Sequence, residues 1–136
     1  MLPLCRQENI AVIPWSPLAR GFLMGNRARG ADGGHGGHGG DTVRASSDEM
    51  AQKLYYRDDD FVIVDAVTKI AAARGVSNAQ VALAWVLAQP GVCAPIIGAT
   101  KLPHLEDAVA ALDLTLSAEE LAALTQPYQP HSVLGH

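Results

Sequence analysis

The chain has 136 residues, of which 49% are hydrophobic and 18% are charged, and this composition is typical of one globular domain. Its formal net charge of −4 gives no electrostatic support for binding to nucleic acid or to an anionic membrane surface. Its two cysteines, Cys5 and Cys93, lie far apart and indicate neither a disulfide framework nor a zinc site, so we expect a cytoplasmic protein.

The first elements in chain order are the end of a helix, a strand and a long loop. Residues 1–9 predict the last turns of a helix, and the apolar run Ile10–Pro14 predicts a strand that is buried on both faces. Residues 26–47 lack hydrophobic periodicity and are rich in glycine and histidine, which is typical of a flexible loop. His35 and His38 in this loop raise the alternative of a transition-metal site. Two histidines without a third ligand bind metal poorly, so we expect no bound metal.

A long amphipathic helix is predicted after the loop. Three aspartates at positions 58–60 suit the positive end of the helix dipole, and Arg74 and Gly75 mark the other end. Apolar residues recur at helical spacing along it and predict the face that packs into the core: Phe61, Val64, Val67, Ile70 and Ala71.

The second half of the chain alternates helix and strand. Ser77 and Gln80 predict a capping box at the start of a helix, and a Pro-Gly pair stops that helix. The elements predicted after it are a buried strand over residues 92–99, a helix from about Pro103 to Leu112, and a helix that opens with a capping box of Ser117 and Glu120.

This order of apolar strands and amphipathic helices predicts a parallel sheet of the α/β class. A parallel pair of strands needs neighbours on both sides, and two strands cannot close a barrel. We therefore expect the chain to be part of a larger fold.

Both predicted strands end in residues that suit an anionic ligand. The sequence WSPLARG (residues 15–21) follows the first strand, and GATK (residues 98–101) follows the second. Ligands of parallel α/β folds bind at the carboxyl ends of the strands, so we expect both segments to face one ligand. The second segment precedes a predicted helix N-terminus, which favours phosphate, and Arg20 adds a cation. Taken alone, Trp15 is more typical of a core or rim aromatic residue and Lys101 of a solvated lysine at a helix start, but together and in this order they favour a phosphate-bearing ligand.

Three stretches resemble the C-terminal part of the aldo-keto reductase superfamily. They are IAVIPWSPLARGFL (10–23), GVSNAQVALAWVLAQPGVCAPIIGATKLPHLEDAVAAL (75–112) and LSAEELAAL (116–124). The likeness is greatest to bacterial members with a Trp-Ser-Pro-Leu strand end. It covers nearly the whole chain outside the loop.

The resemblance implies a fold and an activity. It implies that residues 1–136 form the C-terminal part of an NADP-dependent oxidoreductase domain, a partial (β/α)8 TIM barrel. Ile10–Pro14 would be the seventh strand and Pro95–Gly98 the eighth. Family members reduce aldehydes and ketones with NADPH. The implied cofactor-binding residues are Trp15, Ser16, Pro17, Leu18, Arg20, Gly98, Ala99, Thr100, Lys101, His104 and Asp107.

The resemblance also assigns parts of the cofactor to these residues. Trp15 would stack on the nicotinamide. The pyrophosphate would be lined by Ser16, Leu18 and Arg20. Thr100 and Lys101 would meet the adenosine 2′-phosphate. His104 and Asp107 would lie beside the adenine ribose.

The chain departs from the family pattern at three points. His104 stands where the family usually has Gln or Arg, and Ala108 stands where an Asn usually binds adenine. The catalytic Asp, Tyr, Lys and His of the family lie on earlier strands, and no segment here matches them. We therefore expect no catalytic residue and no turnover from this chain alone.

Two functions are open at this point. The chain is either the C-terminal fragment of an NADP(H)-dependent carbonyl reductase, with a dinucleotide and a small carbonyl compound as partners in the full-length context, or a non-catalytic half-barrel. Such a half-barrel would self-associate through its open sheet edges or pair with a separate N-terminal half.

Overall fold

A computed structural model describes residues 1–26, 54–55 and 57–130. From residue 27 onward, the predicted loop with His35 and His38 lies outside the described residues. The described part contains five α-helices and one 3₁₀ helix: α1 (Leu2–Gln7), the 3₁₀ helix (Ala19–Met24), α2 (Asp58–Arg74), α3 (Asn78–Leu87), α4 (Leu102–Ala110) and α5 (Ala118–Thr125). The predicted helices are confirmed, whereas the 3₁₀ helix was not predicted.

The core lies where α2, α3 and α5 pack together. All five apolar positions predicted for the inner face of α2 are buried. Val81 of α3 is fully buried at the centre of a cluster that also contains Leu116 and Leu124. Phe22 of the 3₁₀ helix packs against Phe61 with ring centroids 5.0 Å apart in an edge-to-face arrangement. The 3₁₀ helix is therefore anchored to the core.

Local side-chain chemistry sets the helix boundaries as predicted. The Gln80 N–H donates to the Ser77 hydroxyl at 3.2 Å, and the Ser77 N–H donates to the Gln80 side-chain oxygen at 3.2 Å. Ser117 and Glu120 form the same reciprocal box at the start of α5. Gly75 ends α2 in the left-handed conformation, with φ 67°.

Helices α2 and α3 meet at a sharp junction, and both contact the 3₁₀ helix. The two helices are bent by 104° at their junction. Within the described residues no single helix is long and apolar enough to cross a membrane, and only this bent pair together meets those two criteria.

Asn78, the first residue of α3, fastens the 3₁₀ helix to this junction. Its side-chain amide donates to the Leu23 carbonyl at 3.3 Å and to the Thr68 hydroxyl at 2.9 Å. Gly25 ends the 3₁₀ helix with φ 76°, and a Cβ atom there would lie 2.8 Å from the Asn78 amide nitrogen. Glycine at position 25 thus allows both the backbone conformation and the close approach of Asn78.

The two predicted strands are the main correction. Within the described residues no regular strand forms, and the two segments meet only at isolated parallel bridges, Val12 with Val92 and Trp15 with Ile96. Two residues separate these bridges in the first segment and three separate them in the second, so the register shifts by one residue. Pro14 and Pro95 also lack the N–H that a continuous ladder requires. The partial barrel is therefore not confirmed, although the parallel direction agrees with it.

The expected burial of both strands on two faces is also wrong. Ile13 is 59% exposed and Ile96 is 56% exposed. Cys93 is exposed as well. Among the residues that the structure describes, no further strand covers these side chains.

Val81 provides a test of the core. We expect Val81→Ala to lower the free energy of unfolding by about 1.5–3 kcal/mol, because two buried methyl groups are lost and a cavity remains. Urea unfolding followed by circular dichroism measures this change. Val62→Ala is the matched control, since Val62 lies on α2 and is 46% exposed. A loss as small as that of the control, within about 0.5 kcal/mol of zero, would contradict the packing described.

An ion pair between α2 and α5 makes stability depend on pH. The Arg74 guanidinium donates to both Glu120 oxygens, at 2.7 and 2.6 Å, and the Ser117 N–H donates to one of them at 2.7 Å. These hydrogen bonds, those of Arg74 first, lower the pKa of Glu120 to about 2. Because this pKa is below the unfolded value of about 4.3, the stabilisation is present above that pH and is lost as the pH falls through about 2.

We expect Glu120→Gln to lower the unfolding temperature near neutral pH, and the gap to the unaltered chain to close as the pH falls toward about 2. Thermal unfolding at several pH values measures the gap. Glu106→Gln, at an exposed glutamate on α4, is the control and should show a small gap at every pH. A gap for Glu120→Gln that does not change with pH would show that the ion pair does not carry the effect.

Candidate functional site

A cavity of about 550 Å³ lies between the turn after the first apolar segment and α4. Every residue predicted to bind the ligand lines this cavity except Ala99. The lining residues from that prediction are Trp15, Ser16, Pro17, Leu18, Arg20, Gly98, Thr100, Lys101, His104 and Asp107. The structure thus brings together two segments that are about 80 residues apart in sequence, and the volume is in the range of small-molecule sites.

Backbone pairing places the two segments side by side. The Ile96 N–H donates to the Pro14 carbonyl at 2.8 Å, and Trp15 forms a parallel bridge with Ile96. Because the segments run in the same direction, the turns that follow them leave at the same end. Both turns therefore face one cavity.

The first turn has an unusual backbone. Ser16, Ala19 and Arg20 have φ values of 53°, 48° and 57°, in a region that non-glycine residues rarely adopt. The Arg20 N–H donates to the Ser16 hydroxyl oxygen at 3.2 Å, which holds the turn closed. The N–H groups of Ala19 and Gly21 donate to carbonyls within the turn, at 2.9 Å each.

These internal bonds decide how the first turn can bind an anion. The N–H groups of Ala19, Arg20 and Gly21 are used within the turn. Anion contacts from this turn therefore depend mainly on side chains. The Ser16 hydroxyl accepts from Arg20 and keeps its own proton to donate, and the Arg20 guanidinium supplies positive charge.

The second turn leads into the N-terminus of α4. Lys101 is the N-cap residue of α4, and no side chain caps this end. Pro103 has no N–H, and the His104 N–H donates to the Lys101 carbonyl at 3.1 Å. Because Lys101 is both the N-cap residue and a lining residue, the positive end of the helix dipole lies at the cavity. Pro103 and His104 offer no N–H to a ligand, so anion contacts here also depend mainly on side chains.

Trp15 provides a flat apolar surface in the cavity wall. It is 69% exposed, which is high for the largest side chain. An exposed indole beside cationic groups suits a ligand that combines a planar ring with phosphate.

Several lining residues are not among the predicted cofactor-binding residues, although Gly21 belongs to the segment expected to face the ligand and Ala108 stands at the position implied for adenine. These lining residues are Gly21, Met24, Asn26, Ala79, Leu83, Ile96, Ile97 and Ala108. Ala79 and Leu83 lie on the buried face of α3, where the sequence signal is the same as for any core position. Asn26 is different. It is polar and directly follows Gly25, which ends the 3₁₀ helix, so the sequence itself indicates an exposed position.

Gln80 was predicted only as a capping residue, and it has a second contact. Its side-chain nitrogen donates to the Asp107 carboxylate at 2.9 Å. Asp107 is the only acidic residue among the described residues that line the cavity. Nothing in the local sequence predicts this contact, because it depends on how α3 packs against α4.

A metal-binding cluster is absent from the part of the chain that the structure describes. No three His, Cys, Asp or Glu side chains gather there in a way that could hold a metal ion. The two loop histidines lie outside the described residues, so the alternative of a metal site in the loop stays a prediction.

Comparison with known proteins identifies the family that this sequence matches. A sequence model of the Aldo/keto reductase family matches residues 1–129. The versiconal hemiacetal acetate reductase of Aspergillus parasiticus is 32% identical over 98% of this chain and 36% of its own length. A Schizosaccharomyces pombe protein that is named as an aryl-alcohol dehydrogenase is 35% identical over 99% of this chain and 35% of its own length. The aldo-keto reductase AMT2 of Alternaria alternata is 34% identical over the whole chain and 34% of its own length. The chain therefore spans about a third of the length of the curated relatives it matches.

Proposed function

The chain belongs to the aldo/keto reductase family, and on this basis we propose that it supplies part of the cofactor cradle of an NADP(H)-dependent carbonyl reductase. In this proposal Ile10–Pro14 and Pro95–Gly98 are the seventh and eighth strands of a (β/α)8 barrel. The catalytic Asp, Tyr, Lys and His of the family lie outside this chain. The observation that carries the proposal is the single cavity in which both strand-end turns meet.

The chemistry of the lining residues fits a nicotinamide dinucleotide phosphate. The exposed indole of Trp15 offers a face for a planar ring. The Ser16 hydroxyl and the Arg20 guanidinium suit the pyrophosphate, because they supply a donor and a cation. When bound, NADPH would supply the hydride that reduces a carbonyl group. The residues of this chain would bind and orient it.

The residues around α4 suit the adenosine half of the cofactor. Thr100 and Lys101 stand at the positive end of α4 and suit the 2′-phosphate. His104 and Asp107 would lie near the adenine ribose. Ala108 also lines the cavity, and its methyl group cannot hydrogen-bond to adenine. Adenine would therefore be held without the amide contact that is usual in the family.

The preference for NADP(H) over NAD(H), the small carbonyl substrate and the cytoplasmic location are parts of the same proposal. So is the likeness to bacterial members of the family. The low cysteine content and the two free thiols agree with a reducing compartment.

Binding of NADP⁺ to the 136-residue chain tests the proposal. We expect quenching of Trp15 fluorescence on addition of NADP⁺, measured in a Trp85→Phe background so that Trp15 is the only tryptophan. We expect Lys101→Met to weaken NADP⁺ binding about tenfold, equivalent to about 1.4 kcal/mol. NAD⁺ binding should weaken much less, because NAD⁺ lacks the 2′-phosphate.

Lys69→Met is the matched control, since Lys69 is an exposed lysine of α2 that does not line the cavity. Its NADP⁺ affinity should equal that of the unaltered chain. Absence of NADP⁺ binding, or equal losses for NADP⁺ and NAD⁺ with Lys101→Met, would contradict the proposed cradle. NADPH oxidation in the presence of an aryl aldehyde should not be accelerated by the chain alone.

A second candidate function rests on an exposed apolar face. On and just beyond α4, apolar residues recur every three or four positions and are 47–68% exposed: Leu102, Leu105, Val109 and Leu112. Ile13 and Ile96 are also exposed, at 59% and 56%. Surfaces of this kind mark contacts between chains. They favour a half-barrel that self-associates or pairs with a separate N-terminal half.

Sedimentation velocity over a range of concentrations tests self-association. We expect the chain to form dimers or larger species, and Val109→Glu to shift the distribution toward monomer by placing a charge on the apolar face. Val62→Glu, at a comparably exposed valine of α2, should leave the distribution unchanged. A monomer at all concentrations would contradict self-association and leave pairing with a separate half as the remaining form of this candidate.

A further inference from the structure

The Gln80 side chain joins two elements of the candidate site. Its oxygen accepts from the Ser77 N–H at 3.2 Å, as part of the capping box of α3. Its nitrogen donates to the Asp107 carboxylate on α4 at 2.9 Å. One half-buried amide therefore links the start of α3 to the only acidic residue among the described residues of the cavity wall.

The capping box fixes the orientation of this amide. A glutamine side chain has one acceptor end and one donor end. Because the acceptor end is held by Ser77, the donor end faces α4. Gln80 thus presents N–H groups to position 107, which suits a carboxylate there.

The contact leaves the Asp107 carboxylate in a defined position. One of its oxygens receives the Gln80 bond, and within the described residues the structure records no hydrogen bond to the other. A carboxylate that is already held on one side by a protein donor can accept from a ligand on the other side. The groups that fit this role are ligand hydroxyl and amine groups.

We propose that Gln80 is a positioning residue, which holds the Asp107 carboxylate so that it accepts a hydrogen bond from a hydroxyl or amine group of the ligand. This inference rests on the proposed function and deepens it. The ribose hydroxyls and the adenine amine of NADP(H) are groups of this class. Gln80 acts through Asp107 and does not itself line the cavity.

A double-mutant cycle separates positioning from a general structural effect. We expect Gln80→Met to weaken NADP⁺ binding about tenfold, because Asp107 loses its partner. In an Asp107→Ala background, Gln80→Met should produce no further loss, since the group that it positions is gone. Fluorescence titration with NADP⁺ in the Trp85→Phe background measures all four affinities.

Ser77→Ala is the control for loss of stability. It removes the hydroxyl that accepts from the Gln80 N–H, and we expect a lower urea midpoint of unfolding because the cap is weaker. The Ser77 backbone N–H and the Gln80 side chain remain, so NADP⁺ affinity should stay within about twofold of the unaltered chain. Urea unfolding of both variants shows whether their stability losses are comparable.

The outcomes distinguish this inference from the proposed function. If the unaltered chain binds NADP⁺ but Gln80→Met has no effect, or has an effect that adds to that of Asp107→Ala, the positioning role is overturned and the cradle stands. If Ser77→Ala weakens binding as much as Gln80→Met does, the effect is one of stability and the positioning role is again overturned. If the unaltered chain does not bind NADP⁺, the proposed function fails and this inference fails with it.

Discussion

The arrangement of the candidate site depends on the parallel pairing of two short apolar segments. The hydrogen bond from the Ile96 N–H to the Pro14 carbonyl and the bridge between Val12 and Val92 align the segments in one direction. The turns that follow therefore emerge together. The cationic turn of the first segment and the N-terminus of α4 therefore share one cavity. Helices α2 and α3 hold the 3₁₀ helix that continues the first turn. Phe61 of α2 packs against Phe22, and the Asn78 side chain of α3 donates to the Leu23 carbonyl.

Features set by nearby residues could be predicted from the sequence, and features set by distant residues could not. The capping boxes and the Gly75 end of α2 involve partners within a few positions, and they formed as predicted. The two strands were predicted from apolar composition, but a strand exists only through its neighbours, and the prolines and the register shift prevent a ladder here. The contact from Gln80 to Asp107 depends on the packing of α3 against α4. The sequence therefore predicted only the capping role of Gln80.

The candidate site could be predicted further than the fold around it. The two strand ends carry the residue types that suit a phosphate-bearing ring compound, and nearly all of them reach the cavity. Their close grouping did not depend on regular strands, because a few backbone hydrogen bonds suffice to align two segments. The internal bonding of the Ser16–Arg20 turn, in contrast, results from positive φ values that the sequence does not reveal.

Binding of one ligand by both turns is the central claim of this account, and NMR chemical-shift mapping with NADP⁺ tests it most directly. We predict that amide resonances shift in both segments, around Ser16–Arg20 and around Gly98–His104, together with the indole N–H of Trp15. Resonances of the α5 residues should stay in place, because none of them lines the cavity. Shifts confined to one of the two segments, or located mainly in α5, would contradict a shared site.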